Sequence, residues 1–264
     1  MKSNYREFLT DLKAAALIGH PDGVAMALDG LRDQPLVAAN QRMSEAFIAE
    51  LLLPAGRILA SLPAVDLRPL LGDPSAAVRT IGAAALACRS FVEVDVTSKD
   101  LHRAGGDPRT EVRAGLGGAL SEAAYLDPSH LFSMGADWLK DPSPRLRQTA
   151  LTFLPALASS HGERLLALYA ALGKEDDNQV RAALVAALVG LARASQAGPI
   201  LDLLAFWASG PSPNTWVIAK TLSASWAAAH PARALAILET IQSRAGKTKE
   251  ITNALRALER HRVN

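Results

Sequence analysis

The stretch Glu93-Val-Asp95-Val-Thr-Ser-Lys-Asp100-Leu-His102 gathers three carboxylates and an imidazole within ten residues, the donor types a divalent cation takes. Its spacing argues against that use. Neither a His-x-x-x-His pair nor an EF-hand series is present, and Asp95, Thr97 and Asp100 suit the capping oxygens of a loop between helices. No metal is expected. Catalytic patterns are equally lacking. The chain has no Gly-x-x-x-x-Gly-Lys-Ser/Thr and no Gly-x-Ser-x-Gly, and its six histidines are scattered without a nucleophile beside them. His20 and His230 each precede proline, which disfavours helix at the preceding residue and marks a boundary. Gly105-Gly106 precedes a turn, and Gly117-Gly118 lies in a helical pattern where small residues permit close approach. The balance is toward a binding protein with no cofactor.

Binding chemistry is concentrated near the C-terminus. Trp216 and Lys220, four residues apart, share one face of a helical segment with Ser223 nearby. An indole beside an ammonium offers flat apolar contact and a charge for a carboxylate or phosphate. These three residues form the candidate ligand site, just after the loop Ser209-Gly-Pro-Ser-Pro-Asn214. The alternative is that Trp216 packs on that loop, or on a C-terminal helix through Leu255 and Leu258.

The elements that must position these residues follow from a phrase stated three times: Asp73-Pro-Ser-Ala-Ala-Val78-Arg79, Asp107-Pro-Arg-Thr-Glu-Val112-Arg113 and Asp141-Pro-Ser-Pro-Arg-Leu146-Arg147. A weaker fourth is Asp176-Asp177-Asn-Gln-Val180-Arg181. Val78, Val112, Leu146 and Val180 recur every 34 residues, a period of helical-repeat solenoids. Asp as N-cap and Pro as first helical residue would start a helix in each copy. Apolar or small residues then follow at helical spacing: Val112, Gly115, Leu116, Ala119, Leu120, Ala123 in one copy, and Leu146, Thr149, Ala150, Phe153, Leu154, Leu157 in the next. The fourth stripe is Val180, Ala183, Leu184, Ala187, Leu188, Leu191. Shorter segments such as 131–139, 165–172 and 200–207 supply the other helix of each pair, with Trp138 and Trp207 on their apolar stripes. The fifth stripe, Ile218, Thr221, Leu222, Ser225, Trp226, Ala229, slips by one residue.

From about residue 67 to 193 the chain resembles the HEAT-repeat family, whose second helix opens with an Asp, a Pro and a Val-Arg pair. The resemblance implies an all-α, right-handed α-solenoid of helical hairpins, about six pairs with end caps. It also implies a ladder between neighbouring repeats made by Asp73, Asp107 and Asp141 with Arg79, Arg113, Arg147 and Arg181. Residues 200–260, with Trp207, Ser212, Asn214, Trp216, Val217, Trp226 and His230-Pro231, loosely resemble the HEAT-like-repeat alkylpurine DNA glycosylases of the DNA alkylation repair family. That family sets aromatic residues and an acidic residue against damaged DNA. Here Ile218 and Ala219 stand where Arg would be expected, and no Asp or Glu shares the open face with Trp216.

Composition bounds the partners. The 264 residues are 49% apolar with a net charge of +2, far from the basic balance of a dedicated nucleic-acid binder. On the open faces of the second helices stand Thr110, Ala114, Gly117 and Ser121, then Asn178, Ala182, Val185 and Val189. Those small, uncharged residues suit a protein or peptide partner better than a phosphate backbone, though Arg103, Arg109, Arg145 and Arg193 could form a phosphate track. Cys88 is the only cysteine, so it suits packing in a reducing compartment. Charges at Arg6, Glu7, Asp11 and Lys13 interrupt any signal-like run, and no apolar stretch is long enough for a membrane span. A cytoplasmic protein is expected. Residues 1–63 read as atypical capping helices, with stripes Tyr5, Phe8, Leu9, Leu12, Ala16, then Val24, Ala27, Leu28, Leu31, then Met43, Ala46, Phe47, Glu50, Leu51 running into Pro54. Residues 64–264 read as HEAT-like repeats, and the whole as one domain. The expected function is a non-catalytic scaffold that binds a protein or peptide on its concave surface; a DNA-binding protein of the alkylation repair type is the alternative.

Overall fold

Each Asp-Pro phrase lies at a helix start, yet the aspartate is not the cap. The computed structural model describes residues 2–18, 21–34, 37, 39, 41–62, 65–92, 98–211 and 214–263. In it the phrase helices open at Ala76, Thr110, Pro144 and Asn178, with Ser75, Arg109, Ser143 and Asp177 at the cap positions, where only Ser75 and Asp177 accept a helix N–H with their side chains. Asp73, Asp107 and Asp141 stand two residues earlier, and Oδ1 of each accepts the cap residue's N–H at 2.8 Å. The cause is proline: it has no N–H to offer, so the aspartate reaches over it to the next free amide as an Asx turn. Glu175 repeats the contact in the fourth copy, accepting Asp177 N–H at 3.0 Å. The acid column therefore runs through Glu175, and the Asp176-Asp177 pair does not continue it.

The chain divides into two compact units, Met1–Leu131 and Phe132–Asn264. The first contains α1 (Lys2–Ile18), α2 (Pro21–Arg32), α3 (Leu53–Ala60), α4 (Ala76–Arg89), α5 (Ser98–Gly105) and α6 (Thr110–Glu122). Phe8, Leu12 and Ala16 of α1, and Val24, Leu28 and Leu31 of α2, are buried. Ala46 and Glu50 are exposed although the stripe reading grouped them with buried Met43, Phe47 and Leu51. Pro54 does not stop the helix. A helical turn Glu45–Phe47 and a π-turn Ile48–Leu52 lead into α3, and Leu53 N–H bonds back to Ile48 O, carrying the chain past the missing proline donor.

α4 packs against both α3 and α6. The approach is close because two glycines allow it. A Cβ on Gly56 of α3 would lie 2.6 Å from Ala84 Cβ, and one on Gly115 of α6 would lie 2.4 Å from Thr80 Cγ2. The α6 stripe from Val112 to Ala123 is buried throughout.

α7 (Pro128–Leu139) crosses the boundary between the units. The second unit continues with α8 (Pro144–Phe153), α9 (Ala158–Ala170), α10 (Asn178–Leu191), α11 (Ala197–Ser209), α12 (Thr215–Leu222), α13 (Pro231–Ala245) and α14 (Lys249–Val263). Here α8, α10, α12 and α14 follow one another as packing neighbours, and α9, α11 and α13 do the same. The stripe Leu146, Thr149, Ala150, Phe153, Leu154, Leu157 is buried, and of the α10 stripe Val180, Ala183, Leu184, Ala187, Leu188, Leu191 only Ala183 is partly exposed. Trp138 and Trp207 are buried, Trp138 edge-on to Phe153 at 5.8 Å and Trp207 Nε1 donating to Ala170 O at 3.1 Å. α12 ends at Leu222, earlier than its stripe suggests. Ser225 and Ala229 fall in a 3-10 turn and are exposed, while Trp226 is buried and donates from Nε1 to Thr221 O at 3.1 Å.

Among the described residues there is no strand, and no helix is long and apolar enough to cross a membrane.

Candidate functional site

Every ladder arginine stands six residues after an acid, inside the first turn of its helix. Arg79 Nη1 donates to Asp73 O (2.7 Å) and Pro74 O (3.1 Å), while Nε and Nη2 reach the carboxylate of Asp107 at 2.8 and 3.4 Å. Arg147 repeats this in the second unit. Its Nη1 donates to Asp141 O and Pro142 O, both at 3.0 Å, and Nε and Nη2 bind Glu175 at 2.9 and 3.1 Å. One planar fork thus seals its own loop and grips the next, a bidentate arrangement lysine cannot copy. Arg113 Nη1 bonds Asp107 O at 2.7 Å, and Asp73 accepts from Arg32 Nη2 at 2.5 Å. Glu175 and Arg32 were missed from sequence. Glu175 was legible by counting 34 residues from Asp141; Arg32 carried no such signal.

Arg181 departs from the column. Among the described residues it has no carboxylate partner; its Nε is buried without an acceptor, and Nη1 makes one long contact, 3.5 Å, to Asn178 Oδ1. The guanidinium lies over the Trp216 ring, 4.9 Å from the centroid, within cation–π range. This corrects its assignment to the ladder. The physical reason is that Ser209 stands 28 residues after Arg181, the interval at which Asp107 and Glu175 serve Arg79 and Arg147. The loop carbonyl an arginine would take, Glu175 O, is instead bonded by Asn214 Nδ2 at 3.0 Å. Asn214 also caps α12, its Oδ1 accepting Val217 N–H at 3.3 Å.

Arg181 and Trp216 line an open cleft of about 540 Å³. Lys174, Glu175 and Asp176 come from the loop before α10, Asn214 from the loop before α12, and Thr248 and Glu250 from the start of α14. Trp216 is half-buried and lines this space. Lys220 is exposed, with Nζ 6.0 Å from the Trp216 centroid. Ser223 is not part of the lining; it caps the end of α12 and its hydroxyl donates to Lys220 O at 2.7 Å. Asp176 and Glu250 are acids beside Trp216, which the reading of α12 alone could not supply because both come from other segments.

The remaining candidates are placed differently. Residues 93–97, holding Glu93, Asp95 and Thr97, lie outside the described residues; Asp100 lies 3.5 Å from Arg68 Nε. Arg109 is bound to Glu111 at 3.2 Å, while Arg103, Arg145 and Arg193 are exposed. Cys88 is half-buried near Arg57 and Glu122, and burial pushes its thiol up, away from the reactive thiolate. Thr110, Ala114, Asn178 and Ala182 are exposed as expected of an open face. Gly117 is buried and Val185 and Val189 are half-buried, because neighbouring helices cover that edge of the face.

The difference between the arginines sets a stability contrast. Arg147→Ala should cost about 1.5–3 kcal/mol, since it leaves a largely buried carboxylate without its charged donor and with only backbone amides. Arg181→Ala should cost less than about 1 kcal/mol, the scale of an exposed cation–π contact. Urea melts of the two variants measure the gap; equal losses would mean Arg181 bears ladder load after all.

No protein-family model, curated protein or solved structure matches this chain at a significant level.

Proposed function

We propose that this chain is a non-catalytic scaffold of HEAT-like repeats that binds a protein or peptide partner on the face of its second helices. The observation that carries the reading is the cleft at Trp216, lined by a half-buried indole and a guanidinium that has no carboxylate partner among the described residues, with exposed lysines beside them. Aromatic and arginine side chains are the residue types that dominate partner binding. The repeat assignment is supported by the arginine-to-acid bonds between successive loops, Arg79 to Asp107 and Arg147 to Glu175. A cytoplasmic setting fits the single thiol, Cys88.

Selection of a displayed random peptide pool on the full chain tests the reading. Recovered peptides should bind with micromolar affinity, and Trp216→Ala should weaken them about tenfold or more. A pool that yields no binder, or binders indifferent to Trp216, would overturn it.

One observation favours a second reading. The cleft sets Asp176 and Glu250 beside Trp216, the combination of aromatic and acid that the resemblance to alkylpurine DNA glycosylases implies. Steeply salt-sensitive retention on a DNA column would support that reading.

A further inference from the structure

Successive loops in each unit are joined by an arginine that crosses to an acid. Arg79 crosses to Asp107 and Arg147 to Glu175, and in both the acid is the residue two before the cap of the next helix. Counting back two from the Asn214 cap of α12 gives Ser212, which carries no charge and lies outside the described residues. Arg181 therefore stands at the sequence position of the clamp arginines with no carboxylate partner among the described residues. It is also preorganised: Trp216 supports one face of its guanidinium, and Asn214 has replaced it on the Glu175 carbonyl. The equivalent cleft of the first unit, also about 540 Å³ and lined by Arg79 and Asp107, has its arginine fully engaged.

We propose that Arg181 is the docking point for an aspartate or glutamate side chain of a partner segment, which meets the guanidinium from the cleft and lays its neighbouring residues across Trp216. This rests on the peptide-binding reading and names the group recognised. The charges around the cleft favour one carboxylate over a run of phosphates. Lys174 and Lys220 flank the site on the positive side, but Asp176 and Glu250 rim the same space beside Glu175, which Arg147 already engages, and these acids would oppose a backbone carrying a charge on every nucleotide. A single carboxylate meets the guanidinium bidentately and need not approach either acid.

The test uses the full chain and blocked pentapeptides of the form Ala-Leu-Glu-Leu-Ala and Ala-Leu-Gln-Leu-Ala. Binding is followed by the NMR signals of Arg181 Nε–H and Trp216 Nε1–H. The Glu peptide should bind about tenfold or more tightly than its Gln twin. That preference should vanish in Arg181→Gln and survive in Lys220→Gln, with thermal melts of both variants confirming the fold. If the two peptides bind alike, or the preference outlasts Arg181→Gln, the inference is overturned while Trp216-dependent binding leaves the scaffold reading standing. If oligothymidylate moves the Arg181 signal at lower concentration than the Glu peptide, the site recognises phosphate and the inference fails. Absence of binding by every probe, together with an empty peptide selection, removes both.

Discussion

Arg89→Met is expected to lower the unfolding free energy by about 3 kcal/mol, the scale of losing buried hydrogen bonds to a charged group. Arg89 ends α4, is 7% exposed, and turns its guanidinium onto the end of α3. Nε donates to Ala60 O at 3.3 Å, Nη1 to Val65 O at 2.9 Å, and Nη2 to Leu59 O at 3.1 Å and to Leu62 O. The final carbonyls of a helix have no partner within the helix, and a cation there also meets the negative end of its dipole. Methionine keeps much of the side-chain volume, so the measured loss reports the lost guanidinium hydrogen bonds more than a cavity, the Leu59 and Leu62 carbonyls keeping backbone donors from Leu62 and Val65. Arg89→Lys should recover only part of it, because one ammonium cannot span four acceptors in the plane of a fork. Urea melts of the three proteins measure this; a loss below about 1 kcal/mol for the methionine variant would mean water replaces the guanidinium without penalty.

Leu154→Ala is expected to cost about 2–5 kcal/mol through lost transfer energy and the cavity left behind. Leu154 follows α8 and is fully buried. Its Cδ2 fills the space above Gly135 of α7, where a glycine Cβ would sit only 2.5 Å away. Phe153 beside it is locked edge-on against Trp138, so the neighbours are poorly placed to collapse into the gap. Neighbouring helices support one another through such contacts, and the loss should spread beyond the substituted pair as weakened hydrogen-exchange protection in α10. A change below about 0.5 kcal/mol, the range of surface substitutions, would contradict the burial of this stripe.

The sequence by itself determined the helices and their buried faces. Val112, Leu116 and Leu120, or Leu146, Ala150 and Phe153, lie on one side of a helix because 3.6 residues make a turn, and that periodicity is local. The Arg79-to-Asp107 bond was expected only from the resemblance to HEAT repeats, on residues that the 34-residue interval aligns. Finer placement was not local. Asp73 became an Asx-turn residue two positions before the cap because the following proline has no amide to give, a competition between donors that a capping rule alone does not rank. Pro54 passed inside a helix because a π-turn shifted the bonding before it. At the candidate site, Trp216 and Lys220 were legible as an exception to the repeat, but Arg181 was not, because its role is defined by the acid that fails to follow it. Only tertiary structure decided that the loop before α12 would leave this guanidinium on an indole and that Asp176 and Glu250 would come to the same cleft. Those residues are separated by up to 74 positions, Asp176 to Glu250, and nothing in a helical period fixes where three separate loops meet.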